Sequence, residues 1–465
     1  MQAEYDALIN KGTWEPVVRT KDHKVIGSKW TYKIKQDANG DITKFKSRLC
    51  ARGDQQTDST YSEIFSPVIA FTVLRVLLAL ACQFDLEMHQ MDVSNAYLNS
   101  DIGDEEVYMR QPKGFEKTGP NGEELVLRLR KSLYGLKQAG RLWGDLLANY
   151  LTKQLGFTRC STDFCVYVYR KNGALVIVGT YVDDLIILSN NKTALTNFKA
   201  AISKHFKMTD EGELRWILGM RVTRDRKNRT LKLDQERYVQ DLIDGFKMTD
   251  CKLATTPAIP GEVLPKIHQG EKYPGLNDPA DKTLYRTMVG KLVYAIVGTR
   301  PDIAFAVSQV ARHFENPTVS HLSAVKRIIR YLKGTISKGL LFDATTDITE
   351  LMCYCDSDWG SCPDTRRSTS GFIIKLCGAA ISWISKRQPT VALSSAETEY
   401  MTAAIAASEV IYIRQIPGDR PHQKNWTNNH FLRLTIRDAH DQESYIWQSK
   451  THRHQVPLRQ RRRNN

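Results

Sequence analysis

The sequence has no CxxC pair and no Cys/His constellation at zinc-ligand spacing, although it carries nine cysteines. Zinc-ribbon and dithiol-redox readings are thereby excluded, and Cys353, Cys355, Cys362 and Cys377, the densest group, read as reduced thiols of an intracellular protein. Long hydrophobic runs are also missing. The most apolar helix-like stretch, "VLRVLLALAC" (73–82), is too short to span a bilayer and contains Arg75. No signal peptide is recognisable, so a soluble protein with no membrane partner is expected. There is no internal repeat, and no low-complexity tract before the C-terminal tail.

What is present is enough for several domains, at 465 residues, and an excess of Lys and Arg giving a net charge of +15. Such a charge suggests an anionic partner, nucleic acid or phosphate. It is unevenly spread, because from Pro417 onward there are ten Lys/Arg against four Asp/Glu. The first 250 or so residues alternate strand-like and helix-like segments, with Asn39-Gly40 and Asn172-Gly173 at expected hairpin turns. Five prolines between Thr256 and Lys282 mark a linker. Three helical segments, "LYRTMVGKLVYAIVG", "DIAFAVSQVARHF" and "SHLSAVKRIIRYLKG", come next, then strands and the helix "AETEYMTAAIAASEVIYIR".

Within this pattern "YVDDLIIL" (181–188) is anomalous, since two adjacent aspartates interrupt an apolar run. Buried like charges are costly unless something compensates them. A solvated turn is one account of Asp183 and Asp184. The other is that they converge with Asp92, in "HQMDVSNAYL", at strand ends where carboxylates bind hard divalent cations for phosphoryl transfer.

The segments "YVDDLIIL", "MDVSNAYL", "SLYGLKQAGRLW", "ARGDQQTDSTYSEIFSPV", "VYMRQPKGF" and "LGMRV" together resemble the reverse transcriptases of copia-type LTR retrotransposons. The resemblance implies an α+β fold, a right-hand polymerase with fingers, palm and thumb over residues 13–255. After it come a Pro/Gly-rich linker (256–283), a helical connection (284–345) and an incomplete ribonuclease H-like αβ domain (346–416). It implies an RNA-directed DNA polymerase acting in a cytoplasmic particle or the nucleus, with two Mg²⁺ (or Mn²⁺) ions, dNTPs and an RNA or DNA template-primer. Asp92 and Asp183 would be metal ligands and Asp184 the third acid. Val93, Tyr97, Gly135, Lys137 and Gln138 would line the nucleotide site. Tyr97 would exclude a 2′-hydroxyl, or simply serve as a core aromatic, and Gly135 would let backbone approach the substrate. Ala139-Gly140 stands where the family usually has Ser-Pro. In the fingers, Lys44, Lys46, Arg48 and Arg52 form either a solvated basic face or a grip on triphosphate or template. The other reading of the whole is a nucleic-acid-binding remnant without catalysis.

Further on, "YCDSDWGSCPDTRRSTSG" and "ALSSAETEYMTAA" resemble the ribonuclease H of the same elements. By that likeness Asp356 and Glu399 would be metal ligands, with Asp358 a near alternative to Asp356. The family's third aspartate, in a D-N-Q stretch, has no counterpart here. Residues 417–465 form a basic tail with no apolar period. It is either an RNA-binding arm or, as a one-nucleotide shift of plausible codons restoring R-H-I-D-I-K-Y-H-F-V-R suggests, a segment translated out of frame. The tail is then expected to be disordered or poorly packed. Because Met1 falls inside what resembles the family's opening, a piece of a polyprotein is expected.

Overall fold

The computed structural model describes residues 1–36, 42–57, 60–61, 63–262, 264, 278–345 and 351–416, with backbone alone at 434–438 and 444–447 and without the side chains of 35, 36, 44, 279 and 280. The expected turn at Asn39-Gly40 lies outside the described residues. Among the described residues two compact units result, one of 1–217 with 415–416, the other of 218–414 with 434–438 and 444–447.

In the first unit, alternation writes a two-stranded ribbon, called the fingers ribbon below after the fingers expected there. Strands β1 (Ser28–Gln36) and β2 (Ile42–Ala51) pair antiparallel, with Trp30 opposite Leu49, Tyr32 opposite Ser47 and Ile34 opposite Phe45. The intervening positions, Lys29, Thr31 and Lys33 against Cys50, Arg48 and Lys46, form the other face. One face is therefore apolar and the other basic. At its base, Leu49 and Ala51 join a core with Trp14, Met109 and Leu127.

The main sheet of this unit, called the palm sheet below after the palm expected over these residues, is six-stranded and antiparallel. Its strands are β3 (Glu87–Val93), β4 (Thr158–Arg159), β5 (Val166–Lys171), β6 (Ala174–Tyr181), β7 (Asp184–Ser189) and β8 (Met208–Glu213), in the order β8-β3-β7-β6-β5-β4. The β5–β6 hairpin turns at Asn172 and Gly173 with φ of 50° and 78°, the type I′ geometry expected of Asn-Gly. The central strands are continuous apolar runs because both faces are covered. Helices α2 (Ala139–Asn149) and α3 (Lys192–His205) contribute Trp143, Leu147, Phe198 and Ile202 to a core with Val176, Val178, Leu185 and Ile187. On the opposite face, helix α1 (Phe71–Gln83) lies so close that a Cβ on Gly179 would sit 3.2 Å from Leu77 Cδ1.

By packing, the second unit begins at Leu218, inside the expected segment 13–255. Strands β9 (Met220–Asp225) and β10 (Thr230–Asp234) pair antiparallel, and β10 pairs in turn with β11 (Gly339–Asp343), placing Leu231 opposite Phe342. Helix α4 (Glu236–Gly245) buries Val239, Leu242 and Ile243 in one core with α5 (Pro279–Gly298), α6 (Ala304–Val310) and α7 (Val319–Gly334). Residues 218–255 thus belong by packing with the elements on the far side of the linker. The reason is a long-range ladder and a shared apolar face that no local pattern announces.

The same unit holds a five-stranded sheet of β12 (Leu351–Ser357), β13 (Thr369–Leu376), β14 (Ala379–Arg387), β15 (Leu434–Asp438) and β16 (Ser444–Trp447), ordered β14-β13-β12-β15-β16, with helix α8 (Ser395–Gln415) after β14. Of the tail, the described residues form β15 and β16. Its strand β15 runs parallel to β12, with Leu434 opposite Leu351 and Asp438 opposite Cys355. Among the described residues, no helix is long and apolar enough to cross a membrane.

Candidate functional site

Three acids meet at one end of the palm sheet. Asp184 opens β7 and is the register partner of Asp92 near the end of β3, so two carboxylates face each other across a ladder rung. Like charges placed directly opposite destabilise a sheet unless something neutralises them. Asp183 completes the set from the two-residue turn between Tyr181 and Asp184, and its carbonyl accepts from Val93 N–H at 2.9 Å. That turn is strained: Val182, a β-branched residue, has φ of 55°. Trp143 Nε1 holds it by donating to the Val182 carbonyl at 2.8 Å. Asp183 thus lies in a turn, though not a solvated one, and Asp184 lies opposite Asp92 across the sheet.

The carboxylates are not equivalent. Asp184 Oδ1 accepts from Gln90 Nε2 at 2.9 Å, and Asp183 Oδ2 accepts from the Tyr134 hydroxyl at 3.1 Å. Asp183 Oδ1 is buried with no hydrogen-bond partner among the described residues. Burial holds the Asp183 carboxyl above the usual carboxylate range; the Tyr134 bond opposes this, Asp92 adds to it, Arg48 opposes and Asp184 adds. An acceptor oxygen left bare beside two further acids is what a divalent cation would satisfy, so the residues fit such an ion. No three His, Cys, Asp or Glu side chains among the described residues already stand in ligating geometry.

Aromatic rings wall the acids. Tyr134 meets Tyr97 edge-on with centroids 4.7 Å apart, and the Arg48 guanidinium carbon lies 4.6 Å from the Tyr134 ring centroid. Burial, and then the Asp183 charge, push both phenols above their ordinary range. Gly135, at φ of 94°, permits a close approach, but to protein: a Cβ there would sit 2.2 Å from the Ala51 carbonyl oxygen at the end of β2. The close approach seen at Gly135 is thus a backbone-to-backbone contact with the end of β2.

The remaining expected nucleotide residues serve the fold in part. Val93 is buried in the palm core, leaving only its backbone at the site. Gln138 is fully buried and donates to Glu105 Oε2 at 2.9 Å and to the Thr60 carbonyl at 3.3 Å. Lys137 Nζ donates to the Gln56 carbonyl at 3.2 Å and to the Tyr61 hydroxyl at 3.1 Å. Of the fingers cations, Arg48 acts on Asp183 through its charge; its Nε is buried and without a hydrogen-bond partner among the described residues. Arg52 is engaged by Asp54 at 2.6 Å, Lys46 lies on the basic face opposite Lys33, and the Lys44 side chain falls outside the described residues. Tyr134, Gln90 and Trp143 escape sequence reasoning. Tyr134 and Trp143 lie within "SLYGLKQAGRLW", yet only the tertiary contacts assign them.

The second acidic group is looser. Asp356 and Glu399 are both exposed, on β12 and in the first turns of α8. Asp356 Oδ1 accepts from Ser357 N–H at 2.8 Å. Asp358 Oδ1 accepts from Thr369 N–H at 2.8 Å, which assigns that carboxylate to the sheet edge. The helix is brought to the strand by Thr398 Oγ1, 3.0 Å from the Asp358 carbonyl. Asp438, on β15 one rung from Asp356, occupies a position for which the sequence suggested no acid.

The profile of the reverse transcriptase (RNA-dependent DNA polymerase) family matches residues 11–260. The Pol polyprotein of transposon TNT 1-94 from Nicotiana tabacum is 38% identical over 429 residues, covering 92% of this chain and 32% of the polyprotein. That share exceeds what residues 1–416 alone could supply, so the likeness extends into the tail. The chain spans about a third of that relative's length. The transposon RE1 polyprotein of Arabidopsis thaliana is 38% identical over 89% of this chain and 27% of its own length. A putative transposon Ty5-1 protein of Saccharomyces cerevisiae is 30% identical over 69% of this chain and 100% of its own length. Among solved structures, a foamy viral protease-reverse transcriptase in complex with double-stranded DNA shares 11% identity at a TM-score of 0.49, covering 94% of this chain and 62% of its own, too loose a match to add to the sequence relationship. The chain belongs to the reverse transcriptase family of copia-type retrotransposon Pol polyproteins.

Proposed function

We propose that the first unit is an RNA-directed DNA polymerase that adds dNTPs to a primer 3′-hydroxyl on an RNA or DNA template. The observation that carries this reading is the bare, buried Oδ1 of Asp183 beside the Asp92–Asp184 rung. Asp92 and Asp183 would hold Mg²⁺ or Mn²⁺, with Asp184 kept by Gln90 at the rim. Bound there, a divalent pair supplies charge compensation to the attacking and leaving oxygens. Tyr97, half-buried against Tyr134, would stand beneath the sugar of the incoming nucleotide, where an aromatic ring leaves no room for a 2′-hydroxyl. Arg48 brings a fixed positive charge to the same end of the ribbon and favours an anionic substrate there. The net charge of +15 suits a polyanionic template-primer.

Primer extension on an RNA template with Mg²⁺ and dNTPs, run beside Asp183→Asn, tests this. Loss of several kcal/mol of transition-state stabilisation predicts a fall of about a thousandfold in the variant. If neither protein extends while both bind template-primer, the reading of a non-catalytic binding protein replaces it.

A further inference from the structure

Three features outside the acids differ in what their chemistry supports. A cavity of about 470 Å³ in the second unit is bordered by Arg312, Arg387 and Cys362, with Arg387 Nη1 at 3.6 Å from the Cys362 sulfur, but nothing there identifies a ligand. The apolar face at the outer part of the fingers ribbon, with Phe45 and Tyr32 exposed, has no partner to name. Tyr134 is different, because its contacts form a chain ending on a bare oxygen.

We propose that Tyr134 is a positioning residue for the metal-binding carboxylate: its hydroxyl anchors Asp183 Oδ2 and thereby turns Asp183 Oδ1 toward the divalent cation. This rests on the polymerase reading above. A carboxylate joined to its chain by rotatable bonds presents either oxygen to a cation, and a fixed donor on one of them removes that freedom. Partners that orient a ligand in this way change metal affinity about 10–100-fold when lost.

Each link is a contact in the structure. The hydroxyl–Oδ2 distance is 3.1 Å, and Oδ1 alone remains without a partner among the described residues. The phenol cannot drift, because its ring is held by the edge of Tyr97 and by the Arg48 guanidinium over its face. Its backbone is pinned as well: the Tyr134 carbonyl accepts from Ala51 N–H at 2.8 Å, and Gly135 lies against the Ala51 carbonyl. Tyr134 therefore ties the end of fingers strand β2 to one oxygen of the palm turn. It does not need to touch the nucleotide.

Tyr134→Phe removes only the hydroxyl and keeps both ring contacts. Mn²⁺ binding to the protein with template-primer, followed by the electron paramagnetic resonance signal of free Mn²⁺, should weaken about 10–100-fold in this variant. The Mg²⁺ concentration for half-maximal extension should rise by a similar factor, while the dNTP KM at saturating Mg²⁺ stays within about twofold. Unchanged Mn²⁺ affinity with a raised dNTP KM would overturn the proposal, placing the hydroxyl on the nucleotide instead. Asp183→Asn separates the two levels of inference. If that variant binds Mn²⁺ as the parent does, the metal reading of the palm falls, and this proposal with it. If Asp183→Asn loses Mn²⁺ but Tyr134→Phe does not, only the positioning role falls.

Discussion

The molecule carries two groups of acids, one in each unit, and they are built differently. In the palm, Asp92 and Asp184 share a ladder rung, Asp183 sits in a strained turn, and Gln90, Tyr134, Trp143 and Arg48 fix the surroundings. In the second unit, Asp356 and Glu399 are exposed and Asp358 is occupied by a backbone N–H of the sheet. The first group leaves an acceptor oxygen buried and bare, which only a cation or a donor can satisfy. The second leaves water to do so. A preorganised site concentrates like charge at a cost to stability, and that cost is itself a signature of function.

The sharpest way to break this contrast is to exchange the mutations. Asp92→Asn should lower primer extension about a thousandfold, whereas Asp356→Asn should leave it within about twofold. A comparable loss from both, measured on the same RNA template, would mean that the second group serves the polymerase reaction.

Glycine substitutions test the same difference in packing. Gly135→Ala combines a positive φ with a Cβ 2.2 Å from Ala51 O, and should cost about 3 kcal/mol or more in urea unfolding. Gly378→Ala, at φ of 76° in the β13–β14 turn with its nearest neighbour 4.0 Å away, should cost only about 1 kcal/mol. Equal costs would show that the fingers–palm contact yields easily.

The smallest effect concerns charge. Because burial raises the Asp183 pKa in the folded protein, the unfolded chain ionises more readily, and the ionised group disfavours folding once the pH exceeds its unfolded value of about 3.9. Asp183→Asn should then raise the Tm of the metal-free protein at pH 7 to 8, a gain that shrinks as the pH falls toward about 4 and is gone below it. A variant less stable than the parent at pH 7.5 would show that the Tyr134 and Arg48 contacts outweigh the desolvation.

Much of the palm is legible in the chain. "LEMHQMDV", "FCVYVYRKNGALVIVGTYV" and "DLIIL" have strand periods and an Asn-Gly turn, and the structure places β3, β5, β6 and β7 on them. The motif around each aspartate identifies the acids without any knowledge of their register. Legibility ends where the decisive contact is long-range. Nothing local says that β10 pairs with β11 across more than a hundred residues, so the packing of residues 218–255 against elements beyond the linker is not legible in the chain. Nor does the composition of the tail announce that Leu434–Asp438 lies parallel to Leu351–Ser357, because a parallel strand takes its partner from elsewhere in the chain.

The sequence by itself determined the family and the strands and hairpin turn around Asp92, Asp183 and Asp184, since periodicity, turn chemistry and motif spacing are written within a few residues. Only the tertiary structure decided that Gly135 serves the Ala51 backbone, that Gln138 is an internal strut, and that Tyr134 holds one oxygen of Asp183 and leaves the other bare. The physical reason is the same in each case. A donor, a Cβ clash or a buried orphan atom exists only between residues that the chain brings together from far apart.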